Sequence, residues 1–116
     1  MVDLNELYKS ADWKSEKHVP AIDIEKGDNK IKIKVAVGKE IPHPNTVEHH
    51  IRWIDVYLIP KDGKLALHVG RAEFNAHGDS ATKPSVSFVL NSEKTGTVLA
   101  TSYCNIHGLW QNTVEV

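Results

Sequence analysis

Lys30-Ile31-Lys32-Ile33-Lys34-Val35-Ala36-Val37 is the stretch that decides the fold. Apolar Ile31, Ile33, Val35 and Val37 alternate with Lys30, Lys32 and Lys34, a period of two. That predicts a strand with one buried and one wet face. Gly38 ends it. Ile41-Pro42-His43-Pro44-Asn45-Thr46 must then be loop, because two prolines so close fit neither a helix nor a central strand. Upstream, Ala21 to Ile24 is expected to be a short strand closed by a turn at Lys26-Gly27-Asp28-Asn29. Downstream, His49 to Ile59 is a long β-rich run, and Pro60-Lys61-Asp62-Gly63 is a hairpin signal. Leu65, Leu67 and Val69 are expected on the return strand. Glu73 to Pro84 is polar connection; Val86, Phe88 and Leu90 form a further strand. Val98 to Tyr103 is another, and Leu109 to Val116 the last. Only Asp3 to Ser10 has helical spacing, enough for a loose turn. About seven short strands with almost no helix predict an all-β chain, an antiparallel immunoglobulin-like sandwich or barrel.

The chain has 116 residues, and 1–116 is expected to be a single domain able to bury a sizeable core. A net charge of −1, with no charged block at either end, argues against nucleic acid or an anionic membrane surface as partner. One cysteine rules out a disulfide framework. No stretch is apolar enough for a leader or a membrane span, so a reducing, cytoplasmic location is the default.

Seven histidines accompany that one cysteine. Cys104-Asn105-Ile106-His107 follows a strand directly, and His43, His49 and His50 cluster upstream. A thiol and an imidazole at this spacing form half of a metal site, and the upstream histidines with His18 can supply the rest. The bland alternative is a buried cysteine beside a surface histidine. His49 and His50 are adjacent, so at most one faces a common metal if the strand has begun there. Structural zinc usually takes paired cysteines, which are lacking. Blue copper adds a methionine after the histidine, but Met1 is the only methionine. The surplus of histidines also favours iron. An electron-transfer copper protein stays the alternative, and a metal-stabilised interaction domain the third reading.

Three stretches carry a family resemblance: Glu16-Lys17-His18-Val19-Pro20; His43-Pro44-Asn45-Thr46 with Glu48-His49-His50-Ile51; and Cys104-Asn105-Ile106-His107-Gly108-Leu109-Trp110. In this order they resemble the signature stretches of the superoxide reductases. No Cys-x-x-Cys pair precedes Glu16, so the likeness is to the shorter one-iron, neelaredoxin-type members. The resemblance implies one mononuclear non-haem iron with His18, His43, His49 and His107 as equatorial ligands and Cys104 as axial thiolate. It implies that Glu16 can take the sixth position in the oxidised state and that Lys17 is the cation near the open site. His50 matches a position that is not a ligand. The activity implied is one-electron reduction of superoxide to hydrogen peroxide. An external donor, in this family rubredoxin, restores the iron, and the assembly implied is a homotetramer.

Outside that pattern, His68 is expected to point away from the apolar face and His77 to lie in a polar loop. Trp53 and Trp110 are expected as core or interface aromatics, Trp110 close enough to Cys104 to shield it. Lys30, Lys32 and Lys34 are expected to be a wet face.

Overall fold

The computed structural model describes residues 1–63 and 65–116. One short helix, α1 (Leu4–Leu7), precedes seven strands: β1 (Pro20–Gly27), β2 (Lys30–Val37), β3 (Ile51–Pro60), β4 (Leu67–Glu73), β5 (Ser85–Leu90), β6 (Gly96–Cys104) and β7 (Gly108–Glu115). They form two antiparallel sheets, ordered β1-β2-β5 and β4-β3-β6-β7. This two-sheet antiparallel architecture is consistent with the immunoglobulin-like sandwich expected from the strand count. No helix among the described residues is long and apolar enough to cross a membrane.

The alternation of β2 does what its pattern requires. Ile31, Ile33, Val35 and Val37 are buried, and they pack against Ile54, Val56 and Leu58 of β3 and Val98 and Ala100 of β6. Each such aliphatic side chain contributes about 1.5–3 kcal/mol when removed from water. Lys30, Lys32 and Lys34 lie on the outer face, where Lys32 faces Glu25 and Lys34 faces Asp23 across the β1–β2 register. Lys39 also bonds Asp23 at 2.7 Å. Opposed charges of this kind add a few tenths of a kcal/mol each and neutralise what would otherwise be a basic stripe.

Several strand boundaries differ from the sequence expectation: β3 starts at Ile51, not His49, β6 runs from Gly96 to Cys104, and β1 and β4 differ most. β1 runs on to Gly27, so the turn is only Asp28-Asn29, with Asn29 in the left-handed region at φ 55°. The tight turn lets Lys26 and Gly27 keep pairing with Ile31 and Lys30. The return strand starts at Leu67, not Leu65, and both leucines are exposed. β4 is a sheet edge, and a bulge leaves Val69 without a partner between the pairs Val56–Gly70 and Tyr57–His68.

The register fixes where the functional segments meet. Pro20 pairs with Val37, Ile51 with Cys104, and Cys104 with Gly108. The start of β1, the end of β2, the start of β3 and the β6–β7 turn therefore open off one end of the sandwich.

Candidate metal centre

At that end the donor atoms of His18, His43, His49 and Cys104 all lie within 4.8 Å of one another. Each arrives by a different local device. Pro20 keeps the approach to β1 extended, and His18 is anchored there through its carbonyl, which accepts from the Ser102 hydroxyl at 3.4 Å. His43 sits between two prolines and donates its Nδ1–H to the Pro44 carbonyl at 2.6 Å, which leaves Nε2 as the bare lone pair. His49 is held by a turn in which its N–H donates to the Thr46 hydroxyl at 3.0 Å. The thiol of Cys104 is fully buried at the end of β6.

The β6–β7 connection is three residues long, Asn105-Ile106-His107, and Gly108 closes it at φ 80°, a conformation that favours glycine. This turn aims the His107 backbone N–H at the Cys104 sulfur, 3.4 Å away. It also brings His107 beside the group. Its Nδ1 is 3.1 Å from His18 Nε2 and 3.8 Å from Cys104 Sγ. His107 is exposed on its outer side, unlike the other members.

Glu16 does not join the group. Its Oε1 accepts from His18 Nδ1–H at 2.7 Å and from the His18 backbone N–H at 3.1 Å. This hydrogen bond holds the Glu16 carboxyl below the usual range. Burial outweighs the carboxylate at His18, whose pKa is lowered, so the contact is a neutral imidazole N–H on a carboxylate and not an ion pair. With Nδ1 so engaged, His18 Nε2 faces the group as an acceptor. Lys17 is half-buried next to it. Its positive charge adds to the lowering at Glu16, His18, His43 and His49, behind hydrogen bonding at Glu16 and burial at the histidines.

Three residues, Asn105, His50 and His77, support the site through contacts that their positions in the chain do not reveal. Asn105 knits the His43–His50 and Cys104–His107 loops: its Oδ1 accepts from His50 N–H at 2.8 Å, and its Nδ2 donates to the Glu48 carbonyl at 3.0 Å. His50 turns away from the group, with Nδ1 on the Thr46 carbonyl at 2.9 Å and its ring stacked on His77 at 3.5 Å. His77 in turn bonds Asn45 at 2.7 Å, so this loop histidine braces the His43–His50 connection. His68 lies elsewhere, on the outer face of the four-stranded sheet, and bonds Asp55 at 2.9 Å.

The residues present fit a metal ion. The Nε2 atoms of His43 and His49 are buried with no protein partner among the described residues. Such an orphaned acceptor costs about 1–3 kcal/mol unless a ligand satisfies it. Imidazoles with one thiol suit a first-row transition ion and not the hard, oxygen-loving calcium or magnesium.

The histidines also set a pH dependence. Burial pushes His43 down to about 4, and lowers His18 and His49 in the same direction. A folded-state pKa below the unfolded value of 6.5 means that the unfolded chain binds the proton more readily. Stability of the metal-free protein is thus full above pH 6.5 and is lost as pH falls through 6.5 toward about 4. His43 alone should remove roughly 2 kcal/mol between pH 7 and pH 5. Urea midpoints of the metal-free protein at those two pH values check this. Equal midpoints would mean that the folded state takes up the proton as easily as the unfolded chain.

Residues 10–113 match the family model described as desulfoferrodoxin. The chain is 52% identical over 113 residues to the superoxide reductase of Pyrococcus abyssi, covering 97% of this chain and 98% of that one. It is 44% identical to the neelaredoxin of Megalodesulfovibrio gigas, covering 96% and 95%. The solved reduced form of the superoxide reductase (neelaredoxin) from Archaeoglobus fulgidus superposes with a TM-score of 0.90 at 48% identity, covering 95% of this chain and 98% of that one. Fold, site and sequence agree, and the chain belongs to the desulfoferrodoxin family.

Proposed function

We propose that this protein is a superoxide reductase that carries out one-electron reduction of superoxide, with two protons, to hydrogen peroxide. The observation that carries the proposal is the convergence of three imidazoles and one thiol within 4.8 Å in a chain of this family. The metal is proposed to be iron, with His18, His43, His49, His107 and Cys104 as its ligands and 1–116 as the single domain that holds it. When bound, iron would supply the single electron by cycling between its ferrous and ferric states.

The chain's own residues do the rest. Pro44 and Glu16 hold the outer nitrogens of His43 and His18, fixing the tautomers that leave Nε2 free to bind. The His107 N–H on the Cys104 sulfur tempers the charge of the thiolate. Glu16 is proposed as the carboxylate that would help hold the oxidised metal, alongside its hydrogen bonds to His18. Lys17 draws the superoxide anion in by charge steering. A rubredoxin-type donor, a homotetrameric assembly and a cytoplasmic location complete the proposal.

Superoxide supplied with a reduced donor should yield hydrogen peroxide with no accompanying dioxygen. Dioxygen release in step with peroxide would mark a dismutase, and stoichiometric copper with no turnover would mark a carrier. In the iron-loaded protein, Lys17→Ala should slow the reaction roughly tenfold at low salt and flatten its salt dependence, with iron content unchanged. An unchanged rate would make Lys17 a bystander.

A further inference from the structure

We propose that Trp110 is the positioning residue for His18, and that the N-terminal segment clamps Trp110 in place. The inference rests on His18 being a metal ligand and adds how its ring is kept aimed.

Among the described residues, His18 is the one member of the group with a large aromatic plane laid flat against it. The Trp110 ring stacks on it at 4.8 Å with an interplanar angle of only 13°. The neighbouring imidazoles meet His18 nearly edge-on, His43 at 76° and His107 at 71°. A ring held only by hydrogen bonds at its outer nitrogen can still rock about the Cβ–Cγ bond. A parallel indole removes that freedom, because rocking would drive the imidazole into the indole face. Glu16 fixes the Nδ1 direction, Ser102 holds the backbone carbonyl, and Trp110 fixes the plane. Together they direct Nε2 into the group before any metal arrives.

Trp110 is itself pinned. It is 9% exposed, on β7 opposite Ser102. Lys9 lies alongside as an isolated parallel bridge: its N–H donates to the Leu109 carbonyl at 3.1 Å and its carbonyl accepts from Gln111 N–H at 2.9 Å. The Gln111 side chain donates to the Tyr8 carbonyl at 3.2 Å. The Lys9 ammonium stands 5.7 Å from the centre of the indole, within range of a cation–π contact. These bonds bracket Trp110 in sequence, so the segment around residues 8 and 9 closes over the side of the indole. A segment with no chemistry of its own thereby reaches the metal centre through two ring contacts.

The test uses cobalt(II) as probe, read by its visible ligand-field bands and by competition with a chelator. Trp110→Leu should weaken cobalt binding about tenfold or more, the loss typical of an outer support of a metal ligand, while Trp110→Phe keeps an aromatic face and stays within about threefold of wild type. Val98→Ala, a core change away from the centre, is the control for destabilisation alone and should leave cobalt affinity unchanged. His18→Ala tests the underlying assignment separately: wild-type cobalt binding there would mean that His18 is no ligand. Undiminished affinity in Trp110→Leu, or an equal loss in Val98→Ala, would overturn the positioning role. If Trp110→Leu does not fold, proton NMR of the zinc-loaded wild type decides. The His18 ring protons should be shifted upfield of the other ligating imidazoles by the indole ring current, and ordinary shifts would overturn the proposal.

Discussion

Replacing Cys104 with serine should abolish the metal chemistry while leaving the fold standing. The sulfur is fully buried at the last position of β6, and it is the only thiol in the chain. Serine fits the space, and its oxygen can still accept from the His107 N–H that now points at the sulfur. The β6–β7 ladder, which pairs residue 104 with Gly108, has no reason to shift. The melting temperature of the metal-free protein should therefore move by only a few degrees. An alcohol stays protonated where a thiol ionises, and it donates far less charge to a metal. Iron affinity should fall by more than the roughly 10–100-fold typical of losing an outer support. Peroxide formation from superoxide should fall at least as far, and the visible thiolate-to-ferric band should vanish. A band that persists in Cys104→Ser would assign it to another group and remove Cys104 from the ligand set.

Gly38→Ala should damage the same centre from a distance along the chain. Gly38 ends β2 at φ 82°, and a Cβ built there would lie 2.5 Å from the His43 backbone nitrogen and 3.3 Å from the Pro42 carbonyl carbon. Both are backbone atoms in a proline-stiffened loop, so neither can swing aside as a side chain would. The left-handed conformation alone costs about 1–2 kcal/mol for alanine. The contact adds to it, and roughly 2–4 kcal/mol of lost stability is expected in all. Relief comes only by pushing the His43 loop outward, which carries Nε2 away from the group. Cobalt(II) affinity should then fall more than tenfold, measured beside a urea midpoint. Gly27→Ala is the matched control, since its Cβ would meet nothing within 4 Å. If Gly38→Ala binds cobalt like Gly27→Ala, the close approach of residue 38 to the loop does not set the position of His43.

Much of this was legible in the order of residues, for identifiable reasons. Ile31 to Val37 announces a strand because the pleat and the side-chain period coincide there. The stretches that bring histidines and the cysteine together stood out because these residues are chemically conspicuous and because proline restricts the backbone around His18 and His43. The adjacency of His49 and His50 implied a split, and the two rings do diverge, one into the group and one onto His77. What stayed hidden depends on contacts between segments far apart in the chain. Glu16 could be read as a carboxylate near the centre, but its engagement with His18 Nδ1 is a matter of rotamers. Asn105 carries no local signal, because its partners Glu48 and His50 lie more than fifty positions upstream. Leu65 and Leu67 are expected together on the return strand by alternation, but Leu65 lies ahead of β4 and Leu67 starts it at the sheet edge, and both are exposed.

The meeting of both sheets at one end has a mechanical consequence. His18 and His43 flank β1 and β2 of one sheet, while His49, Cys104 and His107 flank β3, β6 and β7 of the other. A single ion held by them would rivet the layers together and close a loop from residue 18 to residue 107 of the 116. Antibody sandwich domains join their two sheets with a disulfide. This chain, with one cysteine, has no such option, and a metal staple would serve in its place. Chelation should accordingly loosen the rim that carries these five residues first, leaving the far end, where Val98 pairs with Leu58, to open last.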